Sequence, residues 1–181
     1  MFVTFTNHLI EIKEYQNYTE MYQSLERCDL GHLILGEENT DYDQFYVAMI
    51  RLQTSGLHEF GIGICAESYG LKPHFLMLQK LNIILFGFNH QVVGVNIKKR
   101  EIAFKINLHS LFYYFLPIVE KQIILIVQEL DILAISEEGK ELWHYGKDVI
   151  TETSINGENI QINFMDENSA SLNIISGELV M

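Results

Sequence analysis

The stretch "NIILFGFNHQVVGVNIKKREIAFK" (82–105) lies over "QIILIVQELDILAISEEGKELWHY" (122–145) without a gap when the chain is slid by 40 residues. Ile83, Ile84 and Leu85 fall on Ile123, Ile124 and Leu125, and Val92, Val93, Gly94 and Val95 fall on Ile132, Leu133, Ala134 and Ile135. Arg100-Glu101-Ile102 falls on Lys140-Glu141-Leu142. Few residues are identical, yet the apolar positions stay in phase. A shorter third copy begins 37 residues further on, "NIQINFMDENSASLNIISGELV" (159–180). Each copy breaks into short apolar runs bounded by Asn, Gly, Asp or Glu, which reads as strands and turns. A period of about 40 residues with three or four strands per unit is a propeller-like signature.

The second copy contains its own punctuation. Gly139 permits a turn with positive φ. Trp143 offers a large apolar ring to cover the edge of the next unit, a structural role. With Ala134 and Lys140 at matching spacing, this copy resembles a blade of the quinoprotein type of β-propeller, whose units read roughly A-x-D-x-x-T-G-K-x-x-W after a first strand and turn. In the first copy Ala103 stands in the place of Trp143, and in the third Val180 does. The resemblance covers about half of the chain and implies architecture: antiparallel blade-like sheets. It implies no quinone, because residues 82–181 hold too few units for a ring of at least about four blades. No cofactor is expected.

Outward from the repeat, residues 15–28, "YQNYTEMYQSLERC", carry the one clear helical pattern. Tyr15, Tyr18, Met21, Tyr22 and Leu25 recur at three- and four-residue steps, and Gly31 offers a stop. From residue 32 the runs "HLILG", "QFYVAMIRLQ", "HEFGIGICAE" and "HFLMLQ" predict strands, the second and third joined by "TSG". Connections this short favour antiparallel pairing. The expected fold is mainly β (a β-rich α+β chain): blade-like sheets in an open or incomplete propeller-like array with one helix near 15–28. A single domain over 1–181 is expected, with the helix and N-terminal strands in 1–81 and the blades in 82–181.

Charge excludes several functions. The 181 residues carry 24 acidic and 12 basic side chains, and residues 118–181 hold 12 of the acidic against three of the basic. Such a surface repels phosphate backbones and anionic lipid, so neither nucleic acid nor membrane is an expected partner. The N-terminus lacks the charged start and apolar core of a signal peptide. The most apolar stretch, residues 109–130, is interrupted by Pro117, Glu120 and Lys121 before it reaches the roughly 20 apolar residues of a spanning helix. A cytoplasmic protein is expected.

No catalytic motif emerges. Gly61, Gly63 and Gly70 lack the spacing and following helix of a dinucleotide fingerprint. Cys28 and Cys65 are too few for a disulfide framework, and Cys65 sits in an apolar run that favours an inert thiol. His58 and His74, near Glu59 and Cys65, are the only candidates for a metal site, at a spacing that matches no common zinc pattern. The protein therefore reads as non-catalytic. The favoured function is protein binding, of the kind small acidic bacterial immunity proteins and inhibitors perform, with a basic partner met by Glu137, Glu138, Glu141, His144 and Tyr145. Complementary charge speeds such association. Two alternatives stand beside it: a small-molecule binder or enzyme using an aromatic and His-lined concavity, and a homo-oligomer that pairs open blade edges.

Overall fold

A computed structural model describes residues 2–5, 8–37, 42–52, 58–68 and 71–180. Asn17 decides where the helix begins. Its backbone is extended and its side chain accepts a hydrogen bond from the Glu20 N–H at 2.9 Å, so α1 runs Tyr18–Leu25, shorter than the periodicity suggests. Tyr15 instead ends a strand. Strands β1 (Phe2–Phe5), β2 (His8–Tyr15), β3 (His32–Leu35), β4 (Gln44–Leu52) and β5 (Glu59–Ala66) form one sheet in the order β1-β2-β4-β5-β3. The "TSG" connection lies outside the described residues.

One pairing departs from the antiparallel expectation: β3 runs parallel to β5. The β2–β4 and β4–β5 pairs are antiparallel, so β2 and β3 point the same way. Strands so related need a crossover of about a dozen residues or more, and the segment carrying α1 supplies it. Met21 and Leu25 seat the helix on β4 and β5 with Val47, Met49 and Cys65. Gly61 and Gly63 have no room for a side chain there, since a Cβ on either would stand 2.7 Å from a Leu25 methyl carbon. The "GIGIC" glycines make space for a helix.

Three further sheets follow in sequence order. Strands β6 (His74–Leu78), β7 (Ile83–Phe88), β8 (Gln91–Asn96) and β9 (Glu101–Asn107) form the first. Strands β10 (Phe112–Ile118), β11 (Ile123–Gln128), β12 (Asp131–Ser136) and β13 (Glu141–Gly146) form the second. Strands β14 (Ile150–Asn156), β15 (Asn159–Phe164) and β16 (Ser169–Asn173) form the third, and a bridge from Leu172 to Leu179 begins a fourth strand. The fold is thus β-rich, with antiparallel blade-like sheets and, among the described residues, one α-helix. Strand β10 carries Pro117, which reads as a strand breaker. It is tolerated because β10 is a sheet edge, where a missing N–H costs no ladder bond.

The 40-residue offset holds for β7 and β11, for β8 and β12, and for the single 3-10 turns before β7 and β11. It slips in the next turn. The left-handed residue is Arg100 (φ 61°) in one copy and Gly139 (φ 83°) in the other, one place out of phase. The aromatic anchor slips with it. Phe104, not Ala103, takes the role of Trp143: its ring lies against Gly94 and Gly139, while Trp143 lies against Gly177. Ala103 is exposed.

Contacts divide the chain into two compact units. One comprises Met1–Leu71, Met77–Ile84 and Val95–Ala103; the other comprises Lys72–Leu76, Leu85–Gly94 and Phe104–Met181. One core of the second unit lies between its last two sheets. Leu125, Val127, Ile132 and Trp143 pack against Ile160, Ile162, Phe164, Leu172 and Ile174. Strand β11 is buried on both faces, whereas β15 alternates buried Ile160, Ile162 and Phe164 with half-exposed Asn159, Gln161 and Asn163. The pairing sets the third sheet's far face as three rows: Asn156–Asn159–Asn173, Ser154–Gln161–Ser171 and Glu152–Asn163–Ser169. All nine side chains are polar and none is buried.

Candidate functional site

An antiparallel meander sends its first and third turns to one end and its middle turn to the other. The turn 137–140 therefore lies at the same end of the second sheet as the turn 119–122, and 157–158 and 174–177 share that end in the third. An ion pair from Lys121 to Glu158 at 3.0 Å joins the two sheets there, and a hydrogen bond from the Ile174 N–H to the Glu158 carbonyl at 2.9 Å ties the two turns of the third sheet together. Glu137, Glu138 and Glu141 stand at this end with Glu120, Glu158 and Glu178. His144 and Tyr145 lie toward the opposite end of β13. The five nominated residues thus divide between two ends of one sheet, linked by a 3.2 Å contact from Glu141 Oε1 to His144 Nδ1.

The opposite end contains a pocket of about 600 Å3 lined by His109, Leu130, Asp131, His144, Tyr145, Gly146, Lys147 and Asp148. Its construction begins with two polar residues in an apolar run, Gln128 and Asp131, which bracket the turn from β11 to β12. Both are buried. Buried polar groups need partners, and theirs lie on the loop before β10. Gln128 Oε1 accepts the N–H groups of His109 and Ser110 at 3.1 and 3.2 Å. Ser110 Oγ accepts the Leu130 N–H at 3.0 Å and donates to Asp131 Oδ1 at 3.4 Å. His109 Nδ1 lies 3.5 Å from Asp131 Oδ2, and the His109 and His144 rings meet edge to face at 6.1 Å.

Burial pushes the Asp131 carboxyl above the usual carboxylate range, against the pull of His109 and Ser110. Gly146 permits this burial, since a Cβ there would stand 2.6 Å from the Asp131 Cβ. Sequence reasoning named His144 and Tyr145 but missed His109, Ser110 and Gln128 as members of one site. The legible signal was the pair of polar residues in "IILIVQELDILAI".

Ser110, His109 and Asp131 are the residue types of a nucleophile, base and orienting acid, but their wiring differs. A hydrolytic set needs the base on the nucleophile and the acid on the base. Here Ser110 bonds directly to the carboxylate. Elsewhere, His58 pairs with Asp29 in the first unit and His74 meets the Phe112 ring edge-on in the second. Cys65 is buried under α1, and burial raises the Cys28 thiol to about 11, which keeps it protonated and unreactive. Among the described residues no group of three His, Cys, Asp or Glu side chains is placed to hold a metal ion. No described helix is long and apolar enough to cross a membrane.

No family model matches the sequence, and no curated protein matches it. Solved structures do resemble the fold. Sqt1 from Saccharomyces cerevisiae aligns with a TM-score of 0.52 at 10% identity, over 80% of this chain and 45% of its own. A chain in a crystal structure of the mitotic checkpoint complex aligns with a TM-score of 0.47 at 10% identity, over 71% and 44%. This chain spans less than half the length of either. The likeness to Sqt1, a β-propeller-type protein, places these sheets among propeller-type blades.

Proposed function

We infer that the chain is a non-catalytic protein-binding module whose acidic turn end receives a basic partner. One observation supports the reading above others. Glu120, Glu137, Glu138, Glu141, Glu158 and Glu178 gather at one end of the second and third sheets, against Lys121 and Lys140, and all but Glu137 are exposed. Carboxylates crowded on adjacent turns repel one another, and a cationic surface relieves that repulsion while gaining directed attraction. Blades hold such turns on rigid hydrogen-bonded strands, so little ordering is needed on binding. An inhibitor or immunity protein that occupies a basic active site is the specific form of this function.

The test is affinity capture from extracts of the source cell with the whole chain, followed by binding measurements on the purified partner at rising salt. A basic partner whose affinity falls steeply between about 0.05 and 0.5 M salt supports the reading, since that change shortens electrostatic reach severalfold. A partner bound with no salt dependence overturns it.

A further inference from the structure

We propose that the pocket between His109, Asp131, His144 and Tyr145 is a side-chain subsite that takes an arginine of the partner. The inference rests on the protein-binding reading and adds a second contact for the partner, at the end of the sheet opposite the acidic turns. Asp131 forms a buried anionic floor, and both of its side-chain contacts, at 3.4 and 3.5 Å, are long for hydrogen bonds. A carboxylate so placed has lost water without gaining close donors. It retains acceptor capacity toward the opening it lines.

The walls select the cation. His109 and His144 stand exposed, edge to face, with Tyr145 beside them. Planar π-faces beside a carboxylate suit a guanidinium, which stacks on rings while its fork donates to both oxygens. An ammonium gives neither the plane nor the fork. The charged groups on the pocket are Asp131 and Asp148 against Lys147, and Glu141 lies behind His144. Lys147 also faces Asp166, whose carboxyl it helps hold low, so its ammonium is drawn partly away from the floor. The pocket is wide at its mouth and buried only at its base, which fits a side chain delivered by a protein surface better than an enclosed small ligand.

The experiment is an amide NMR titration of the whole chain with N-acetyl-L-argininamide, compared with N-acetyl-L-citrullinamide, which keeps the shape and lacks the charge. Expected are saturable shifts confined to His109, Leu130, Asp131 and residues 144–148, absent with the citrulline probe. Asp131→Asn weakens arginine binding about tenfold or more, the loss expected when a charged hydrogen-bond partner is removed. Lys147→Gln strengthens it roughly twofold to fivefold, the value of an exposed charge. Because Lys147 is exposed, that variant reads the site even if Asp131→Asn does not fold. Shifts that rise without saturating, that appear instead around Glu137 and Glu138, or that citrulline reproduces would overturn the subsite. None of those results would touch a salt-dependent partner bound at the acidic turn end, which fails or stands by the capture measurement.

Discussion

The Trp143 indole lies on Gly177. A Cβ added to that glycine would stand 2.6 Å from the ring carbons, and the indole Nε1 donates to the Ile174 carbonyl of the same turn at 3.0 Å. One residue thus ties the last strand of the second sheet to the turn that follows the third strand of the next. Trp143→Ala is expected to lose about 3–5 kcal/mol, the range for emptying a buried aromatic site. Gly177→Ala meets both the ring and a φ of 71°, and is expected to cost about 1–3 kcal/mol from crowding alone. Urea denaturation of both variants checks this, and an unchanged midpoint for either would remove the ring from the core.

The apolar phase of the repeat was readable because strands buried on both faces need continuous hydrophobic runs, as β7 and β11 show. The turns were not, because a left-handed residue can be Arg100 or Gly139 and the backbone absorbs a one-residue slip. The third copy shows what such a slip costs in interpretation. Strand β15 begins at Asn159, 36 residues after Ile123, whereas the apolar letters align best at 37. One residue moves every side chain to the opposite face, so the shorter offset reveals Asn159, Gln161 and Asn163 where β11 carries Ile123, Leu125 and Val127. Strand β10 was hidden by Pro117, and β2 by a hydrophobic pattern continuous with the helix that Asn17 separates from it. The pocket was least legible, since Gln128 reaches His109 and Ser110 across a loop.

The polar far face of the third sheet gives a second prediction. Nine polar side chains would each need a new partner if another apolar sheet packed on them, so that face ends the hydrophobic stacking. Replacing Gln161 with Ile and Asn163 and Ser171 with Val restores an apolar stripe like that of β11. The triple variant is expected to self-associate relative to the parent, seen as a higher mass in sedimentation velocity at equal concentration. A variant whose mass distribution matches the parent would show that some other feature caps the sheet.

The buried carboxyl of Asp131 makes stability depend on pH with a definite sign. Its folded-state pKa is raised, chiefly by burial, so between the unfolded and folded values the native state holds the extra proton. Its contribution to stability therefore falls as pH rises through that window, and stays at the lower level above it. Asp131→Asn has no charge to desolvate. The stability of this variant minus that of the parent is expected to grow as pH rises from below the unfolded value through the window, then to level off. Urea titrations at intervals from about pH 3 to 7 read this difference, and a flat difference would mean that His109 and Ser110 fully offset the burial.

The acidic turn end gives the last prediction. Glu138 and Glu141 are exposed and Glu137 is half-buried, and only Glu141 makes a side-chain contact among the described polar interactions of the three, at 3.2 Å to His144. Changing all three to Lys replaces three negative charges by three positive ones beside Lys121 and Lys140. The fold is expected to survive, because exposed charge changes usually stay within about 0.5 kcal/mol each and an exposed pair such as Glu141–His144 contributes at most about 1 kcal/mol. Association with a basic partner is expected to slow by about tenfold or more while dissociation changes less, because charges at an interface rim act on diffusional encounter. Raising salt to about 0.5 M shortens the reach of these charges to a few ångströms and should draw the two association rates together. Stopped-flow measurement on the captured partner separates the outcomes. A reversal that leaves the on-rate untouched at low salt would move the interface away from the 137–141 turn.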